Sequence, residues 1–320
     1  MRQIRPGHAS PRKRRPLRRS RFVTLTAAAA LLAFSTGCPN GGATPGVRPV
    51  PPRDAREALQ RINDNLSRID GALYCKARTS FRFRDRNGKD RRFIAHPATV
   101  IFEPPRCLYF DIKHALGGSV ARIGSNDERY WLWIDTPEAR KLWYGGWDDL
   151  QAGRARQMAI PPDQLLDALM MRPLPQELPG TSKPLLLKDG QTHRLLYAKC
   201  TGDDWPFVKR EIRLDPRPPY MPLEIIDRLA DGRVAMHAYL KKYEAVSGTG
   251  GGGPQIARRY VVYWEVDRAE MRLDLSDVRY RTKETPFCEF PDMWQGEVES
   301  LDEPLTIEPS DEDRGSATQP

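Results

Sequence analysis

The chain has 320 residues, with 51 Lys or Arg against 42 Asp or Glu, a formal net charge of +9. Nine of those bases lie in residues 1–21, which hold no acid, so the rest of the chain balances at 42 of each sign. The basic excess therefore belongs to one terminal block, and a nucleic-acid-binding surface loses its main support.

Beyond the basic block, Phe22 to Gly37 is a 16-residue apolar stretch, short of the roughly 20 residues that a membrane span needs. A basic start, a short apolar core and small residues at the exit predict an export signal over residues 1–37. Its end, Ser35-Thr36-Gly37-Cys38, resembles the lipobox of bacterial lipoproteins, although the usual leucine at the first position is missing. That resemblance implies that Cys38 is diacylated and becomes the mature N-terminus. The alternative is an ordinary cleaved signal with Cys38 as an incidental thiol. Arg18-Arg19 also resembles a twin-arginine signal, but Phe22 sits one place late, so the Sec and twin-arginine routes both stay open. Residues 38–53 are rich in Pro and Gly and have no apolar face, which reads as a tether. Its reach is roughly 23 Å as a coil and about 50 Å fully stretched.

The folded part is expected over 54–296. An amphipathic helix opens it, with Ala55, Ala58, Leu59, Ile62, Leu66 and Ile69 at helical spacing, Asp54 as N-cap and Gly71 beyond the last apolar position. The period then switches to two in LYCKARTSFRF, with Asp85-Arg86-Asn87-Gly88 as the turn. Strands follow at 91–103, 106–113, 119–125, 129–135 and 139–144. A second helix is expected at 162–171, with Pro162 in its first turn and Pro173 past its end. Further strands are expected at 184–188, 192–200, 207–214, 222–229, 233–245, 256–267 and 271–280. The loop GTGGGGP, 248–254, lies between strands rather than before a helix, so it is no phosphate cradle. Residues 297–320 hold eight acids and one base, and their Pro and acid content predicts a disordered acidic tail.

Several strands are apolar on both faces. In YWLWI, Tyr130, Leu132 and Ile134 point one way and Trp131 and Trp133 the other. A one-sided antiparallel sheet alternates cleanly, and two helices cannot roof a dozen strands on both sides. The strands must close as a filled barrel, stack as a sandwich, or curl around a cavity that something else fills.

Four cysteines follow the signal: Cys75, Cys107, Cys200 and Cys288. They include no CxxC pair, so a zinc ribbon is not expected. Cys75 and Cys107 open the first and third strands, which lie too far apart for a bridge without a bend. Pairing is expected to involve Cys200 or Cys288, with buried free thiols as the alternative. None of His8, His96, His114, His193 and His237 sits in a metal-ligand spacing. Gly118-Ser119 lacks the context of a hydrolase elbow, and the paired acids Asp148-Asp149 and Asp203-Asp204 sit in loops. No catalytic residue and no cofactor is expected.

The order of elements resembles the LolA/LolB family of periplasmic lipoprotein-sorting proteins. The matching stretches are ALYCKARTSFRF, ATVIFEPPRCLYFDI, GGSVARIGSNDERYWLWI, IPPDQLLDALMMRPLP, the late YEAVSGTGGGGPQIARRYVVYWE and MRLDLSDVRY, and TPFCEFPDMWQG, spanning about 55 to 296. The resemblance implies an α+β, mainly β fold: an incomplete antiparallel β-barrel with helices as a lid over a hydrophobic cavity for acyl chains. A protein held on a tether cannot shuttle, so it implies a membrane-bound acceptor akin to LolB, partnered by acyl chains or lipoproteins and a soluble LolA-like carrier. Pro39 stands where the inner-membrane retention signal has Asp, which implies the periplasmic side of the outer membrane. The cavity candidates are Phe81, Phe83, Val100, Phe102, Leu108, Phe110, Trp131, Trp133, Leu165 and Leu169. They cover both strand faces, because the sequence does not tell which face is concave. The competing expectation is a non-catalytic envelope scaffold with a filled barrel, and a lipid-anchored hydrolase would need a cleft with convergent polar groups.

Overall fold

Two-residue alternation runs through most of the folded chain and joins it into one sheet. The computed structural model describes residues 51–302 apart from 85–87, 137–138, 153, 155–159, 203, 248–251, 283–286 and 292–296. The export signal, Cys38 and the tail beyond residue 302 lie outside the described residues. Pro49–Pro320 form one compact unit.

Helix α1, Ala55–Ser67, leads into β1 (Leu73–Arg84), β2 (Asp90–Glu103), β3 (Cys107–Lys113), β4 (Ser119–Ser125), β5 (Arg129–Thr136) and β6 (Ala139–Gly146). Two short helices follow, α2 (Trp147–Gln151) and α3 (Pro162–Ala168). The second run holds β7 (Leu185–Lys188), β8 (His193–Cys200), β9 (Pro206–Leu214), β10 (Pro222–Arg228), β11 (Val234–Ala245), β12 (Gln255–Trp264), β13 (Ala269–Tyr280) and β14 (Glu297–Ser300). The sheet order is β14-β6-β5-β4-β3-β2-β1-β13-β12-β11-β10-β9-β8-β7. All neighbours are antiparallel except β14, which lies parallel to β6. β1 pairs with β13 and so joins the two runs into one curled, unclosed sheet with β14 and β7 at its edges.

The pairing register keeps one face apolar from strand to strand. Cys75 faces Val100, and Val100 faces Phe110, which faces Ile123. In the other direction Phe81 faces Met271, Met271 faces Val262 and Val262 faces Ala238. Ala238 then faces Ile225, Ile225 faces Ile212 and Ile212 faces Leu195. These residues, with Ala58, Leu59, Ile62 and Leu66 of α1 and Leu165 and Leu166 of α3, form a single buried cluster. That face is the inner one. Asp54 caps α1 as its sequence predicts, accepting the Glu57 N–H at 2.9 Å, and α3 begins with Pro162 in its first turn.

The outer face of β4–β6 carries the second set of aromatics. Trp131 and Trp133 pair with Gly124 and Arg122 there. Trp131 lies so close over Gly124 that a Cβ would stand 2.2 Å from its indole, which requires glycine. The C-terminal segment covers this patch: Phe290 meets Trp131 at 5.7 Å and Tyr144 at 5.2 Å between ring centroids. A Cys107–Cys288 disulfide fixes the segment to the start of β3 across a sequence separation of 181. Cys75 is a buried free thiol and Cys200 an exposed one. Residues 297–300, expected from composition to begin the acidic tail, form β14. Lys141 of β6 pairs with Glu297 and Glu299 at 2.6 Å each, and the Trp143 indole donates to Glu299 at 3.0 Å.

Reduction of Cys107–Cys288 is expected to cost about 2–5 kcal/mol, the range for losing a native disulfide. Thermal unfolding with and without reductant measures it. Tryptophan emission should shift to the red before global unfolding, as Phe290 lifts from Trp131.

Candidate functional site: the covered inner face

The inner face and its two helices place the sequence candidates in two groups. Val100, Phe102, Leu108, Phe110, Leu165, Leu169 and Phe81 are buried in the inner cluster, and Phe83 packs against it. Trp131 and Trp133 are on the opposite face, as their register with β4 requires. Trp131 lies under Phe290. Trp133 stacks on the Arg122 guanidinium, which also lies over Tyr109, each at 5.0 Å.

Polar fastenings hold the helical cover on the sheet. Asn63 of α1 donates to the Leu174 carbonyl at 2.9 Å and accepts the Leu174 N–H at 2.8 Å. Asn65 makes the same reciprocal pair with Gln255, at 2.9 and 2.7 Å. Both bonds are worth more in this shielded setting than in water. On α3, Asp167 reaches the inner face, where Arg210 of β9 binds it at 2.7 Å. Arg210 also forms a fork with Asp227 of β10, at 2.6 and 2.7 Å. All three side chains are buried, and Arg172 pairs with Asp167 from just beyond the helix. Burial disfavours the Asp167 carboxylate, but the guanidiniums of Arg210 and Arg172 outweigh it and hold the carboxyl below its ordinary range. Asp163, one turn earlier, is pushed up by burial. The Tyr197 hydroxyl, on the inner face of β8, donates to the Pro175 carbonyl at 2.8 Å.

The sequence candidates did not include these fastening residues. The only available signal was polar residues at inward parity, such as Arg210 two places before Ile212 and Asp227 two places after Ile225. That signal is readable only once the inward face is known. Leu116, at the tip between β3 and β4, is also absent from the candidates and is the most exposed large apolar side chain among the described residues.

Two surface grooves, of about 420 and 540 Å³, open near the ends of β11–β13 and of α1 respectively. Charged and polar side chains line most of the first, the second mixes them with Pro218, Pro219, Tyr220 and Met221, and none of the ten candidates borders either. Among the described residues no group of three His, Cys, Asp or Glu side chains is placed to hold a metal.

Fold and site together define a mainly β protein whose single open sheet curls round an apolar face closed by helices. No family model and no curated protein matches the sequence. Among solved structures the chain is similar to a DUF1329 family protein from Desulfovibrio piger, with 10% identity, 74% of this chain and 96% of that one covered, and a TM-score of 0.44. It is similar to a LolA superfamily protein from Nitrosomonas europaea, with 12% identity, 74% and 98% covered, and a TM-score of 0.44. A putative outer membrane lipoprotein-sorting protein domain from Vibrio parahaemolyticus gives 10% identity, 72% and 94% covered, and a TM-score of 0.44.

Two measurements check the site's energetics. Arg210→Met strands Asp227 in the interior and leaves Asp167 to Arg172, and is expected to cost about 3–5 kcal/mol in urea unfolding, whereas replacing Arg210 and Asp227 together by apolar residues should restore most of it. Burial pushes the Cys75 thiol from 9.0 up to about 12. Its neutral form is thus favoured in the folded state, and the stability it contributes is complete below pH 9.0 and lost as pH rises towards about 12. The alkaline limb of the stability profile should be shallower in Cys75→Ala.

Proposed function

We propose that the chain is a lipid-anchored, periplasm-facing protein that takes acyl chains or lipoproteins between its inner sheet face and the helices α1 and α3. The observation that carries this is the cover itself: an apolar face closed by the apolar sides of α1 and α3, whose positions are fixed by a few polar bonds. Opening would expose the apolar face to an acyl chain, which gains about 0.8 kcal/mol for each CH₂ it buries. No bond-making step is needed. Cys38, by its resemblance to a lipobox, supplies the anchor, and Pro39 favours the outer membrane. Acceptance of lipoproteins from a soluble LolA-like carrier fits an anchored chain with the exposed Leu116 at a hairpin tip. A second reading, a non-catalytic envelope scaffold, is favoured by a different observation: Val100, Phe110 and Leu165 have no exposed surface, so the closed interior is filled by the protein's own side chains.

The test uses residues 49–320 purified without detergent. Native mass spectrometry should show co-purified lipid, and a fluorescent fatty acid should be taken up. Phe110→Asp should abolish uptake and Trp133→Gln should leave it unchanged, since only Phe110 is on the inner face. Asn63→Ala with Asn65→Ala should quicken uptake without removing any apolar contact. A folded, empty protein that takes up no fatty acid, even with both asparagines replaced, sinks the proposal and leaves the scaffold reading.

A further inference from the structure

The strand registers place six hairpins at one end of the sheet. Phe81 facing Met271, Trp264 facing Met236, Arg228 facing Val234 and Cys200 facing Pro206 put the β1–β2, β12–β13, β10–β11 and β8–β9 connections there. The β3–β4 and β5–β6 connections share that end, because β3 and β5 run in the direction of β1. Four of the large apolar side chains that stand exposed lie on this rim, each on a different hairpin. They are Ile94 at 72%, Leu116 at 93%, Trp205 at 74% and Val266 at 52% exposure. Side chains of this kind are expected to be scattered singly over a soluble surface. Here they share one rim.

Charge accompanies them. β3 pairs with β2 only from Ala98 to Glu103 and β13 pairs with β1 only as far as Arg82, so the outer part of the β1–β2 hairpin projects as a two-stranded ribbon. The described residues of that ribbon from 83 to 96 carry Arg84, Lys89, Arg91 and Arg92 against one acid, Asp90, with Arg82 at its base. Arg82 and Arg92 face each other across the ribbon, and both are exposed. Like charges placed directly opposite repel one another, and Asp90 at 3.8 Å and Glu270, opposite Arg82 on β13, relieve this on the Arg82 side. An anionic surface would relieve it on the Arg92 side.

We infer that this rim docks on a phospholipid bilayer surface bearing anionic headgroups. The ribbon's guanidiniums lie at the phosphates, while Ile94, Leu116, Trp205 and Val266 reach the boundary with the acyl chains. Tryptophan with aliphatic side chains beside a basic face is the composition that holds proteins at this interface. The inference goes beyond acyl-chain binding, because none of these side chains belongs to the inner cluster. It is also compatible with an anchor at Cys38. The chain enters the fold at the opposite end, where Lys188 binds the Arg53 carbonyl at 3.0 Å. A strand the length of β1 spans about 40 Å, within the tether's stretched reach of about 50 Å.

The experiment is co-sedimentation of residues 49–320 with vesicles of phosphatidylglycerol and phosphatidylethanolamine, against vesicles of phosphatidylcholine and phosphatidylethanolamine. Binding is expected to the first only, and to weaken as salt rises. Arg82→Gln with Arg92→Gln should lower it about twentyfold, and Leu116→Ser with Trp205→Ser about tenfold. Arg217→Gln, an exposed site at the other end, should leave it unchanged. Brominated phosphatidylglycerol should quench tryptophan emission in the native chain and less in Trp205→Phe. All variants should keep native fatty-acid uptake, so a failure here and a failure of the acyl-chain reading are separate results. No binding to anionic vesicles, binding indifferent to headgroup charge, or rim variants that bind as well as the native chain would overturn the inference.

Discussion

A long sheet with one apolar face and, among the described residues, little more than α1 and α3 to cover it has to curl, and most of the fold follows from that constraint. Strand pairing alone does not demand curvature, but burial does. Two inward rows meet on β1: one runs from Ile123 through Phe110 and Val100 to Cys75, the other from Phe81 through Met271, Val262, Ala238, Ile225 and Ile212 to Leu195. A slip of one residue at any pairing would turn that strand's apolar set outward. The irregularities in the ladder, such as the shift between Thr79 and Phe81 beside Ala95, are placed so that the inward parity resumes on both sides. Curling then brings distant strands within reach of the same two helices.

The helices divide the work of closure between unlike forces. Apolar contact gives the closed state most of its stability, since buried aliphatic side chains each contribute about 1.5–3 kcal/mol. The polar fastenings add direction. Asn63 and Asn65 fix where α1 lies, and Asp167 between Arg210 and Arg172 fixes α3. An apolar helix on an apolar face can slide at little cost. A carboxylate buried against Arg210 cannot, because any displacement leaves charge without a partner in a medium that solvates it poorly. Closure is therefore specific as well as stable, and opening has to be concerted: the guanidinium and the carboxylates must be rehydrated together.

The strands were legible in the sequence because period two and turn residues are local signals. Pro104-Pro105 and Asp231-Gly232 mark breaks that the chain uses. The inward face was not legible, because YWLWI is apolar on both sides for two different reasons. Leu132 and Tyr130 face the core, whereas Trp131 faces Phe290, which arrives from some 160 residues away under a disulfide. Cys107 with Cys288 was one of the pairings the sequence left open. The same non-locality hid the ion pairs. Asp167, Arg210 and Asp227 are each unremarkable in their own segments, and only the curl brings them together. β14 escaped notice because Glu297 and Glu299 read as tail composition, while their role is to meet Lys141 and the Trp143 indole.

The two ends of the sheet differ in kind, and the difference follows from connectivity. At the end where α1 enters, the β9–β10 connection meets the helix, with the Arg61 guanidinium over Tyr220 at 5.2 Å, and Gln255 at the start of β12 is tied to Asn65. Their polar groups are engaged in holding the cover. At the hairpin end the connections are short and stand clear of the helices, so their side chains contribute little to the core. An apolar residue at such a tip neither stabilises the fold nor is hidden by it. Leu116, Trp205, Ile94 and Val266 are thus unexplained by folding, while Phe110 and Val100 are fully explained by it. That contrast separates the interior from the rim: the buried aromatics serve closure whether or not an acyl chain enters, and the exposed ones need a surface to meet.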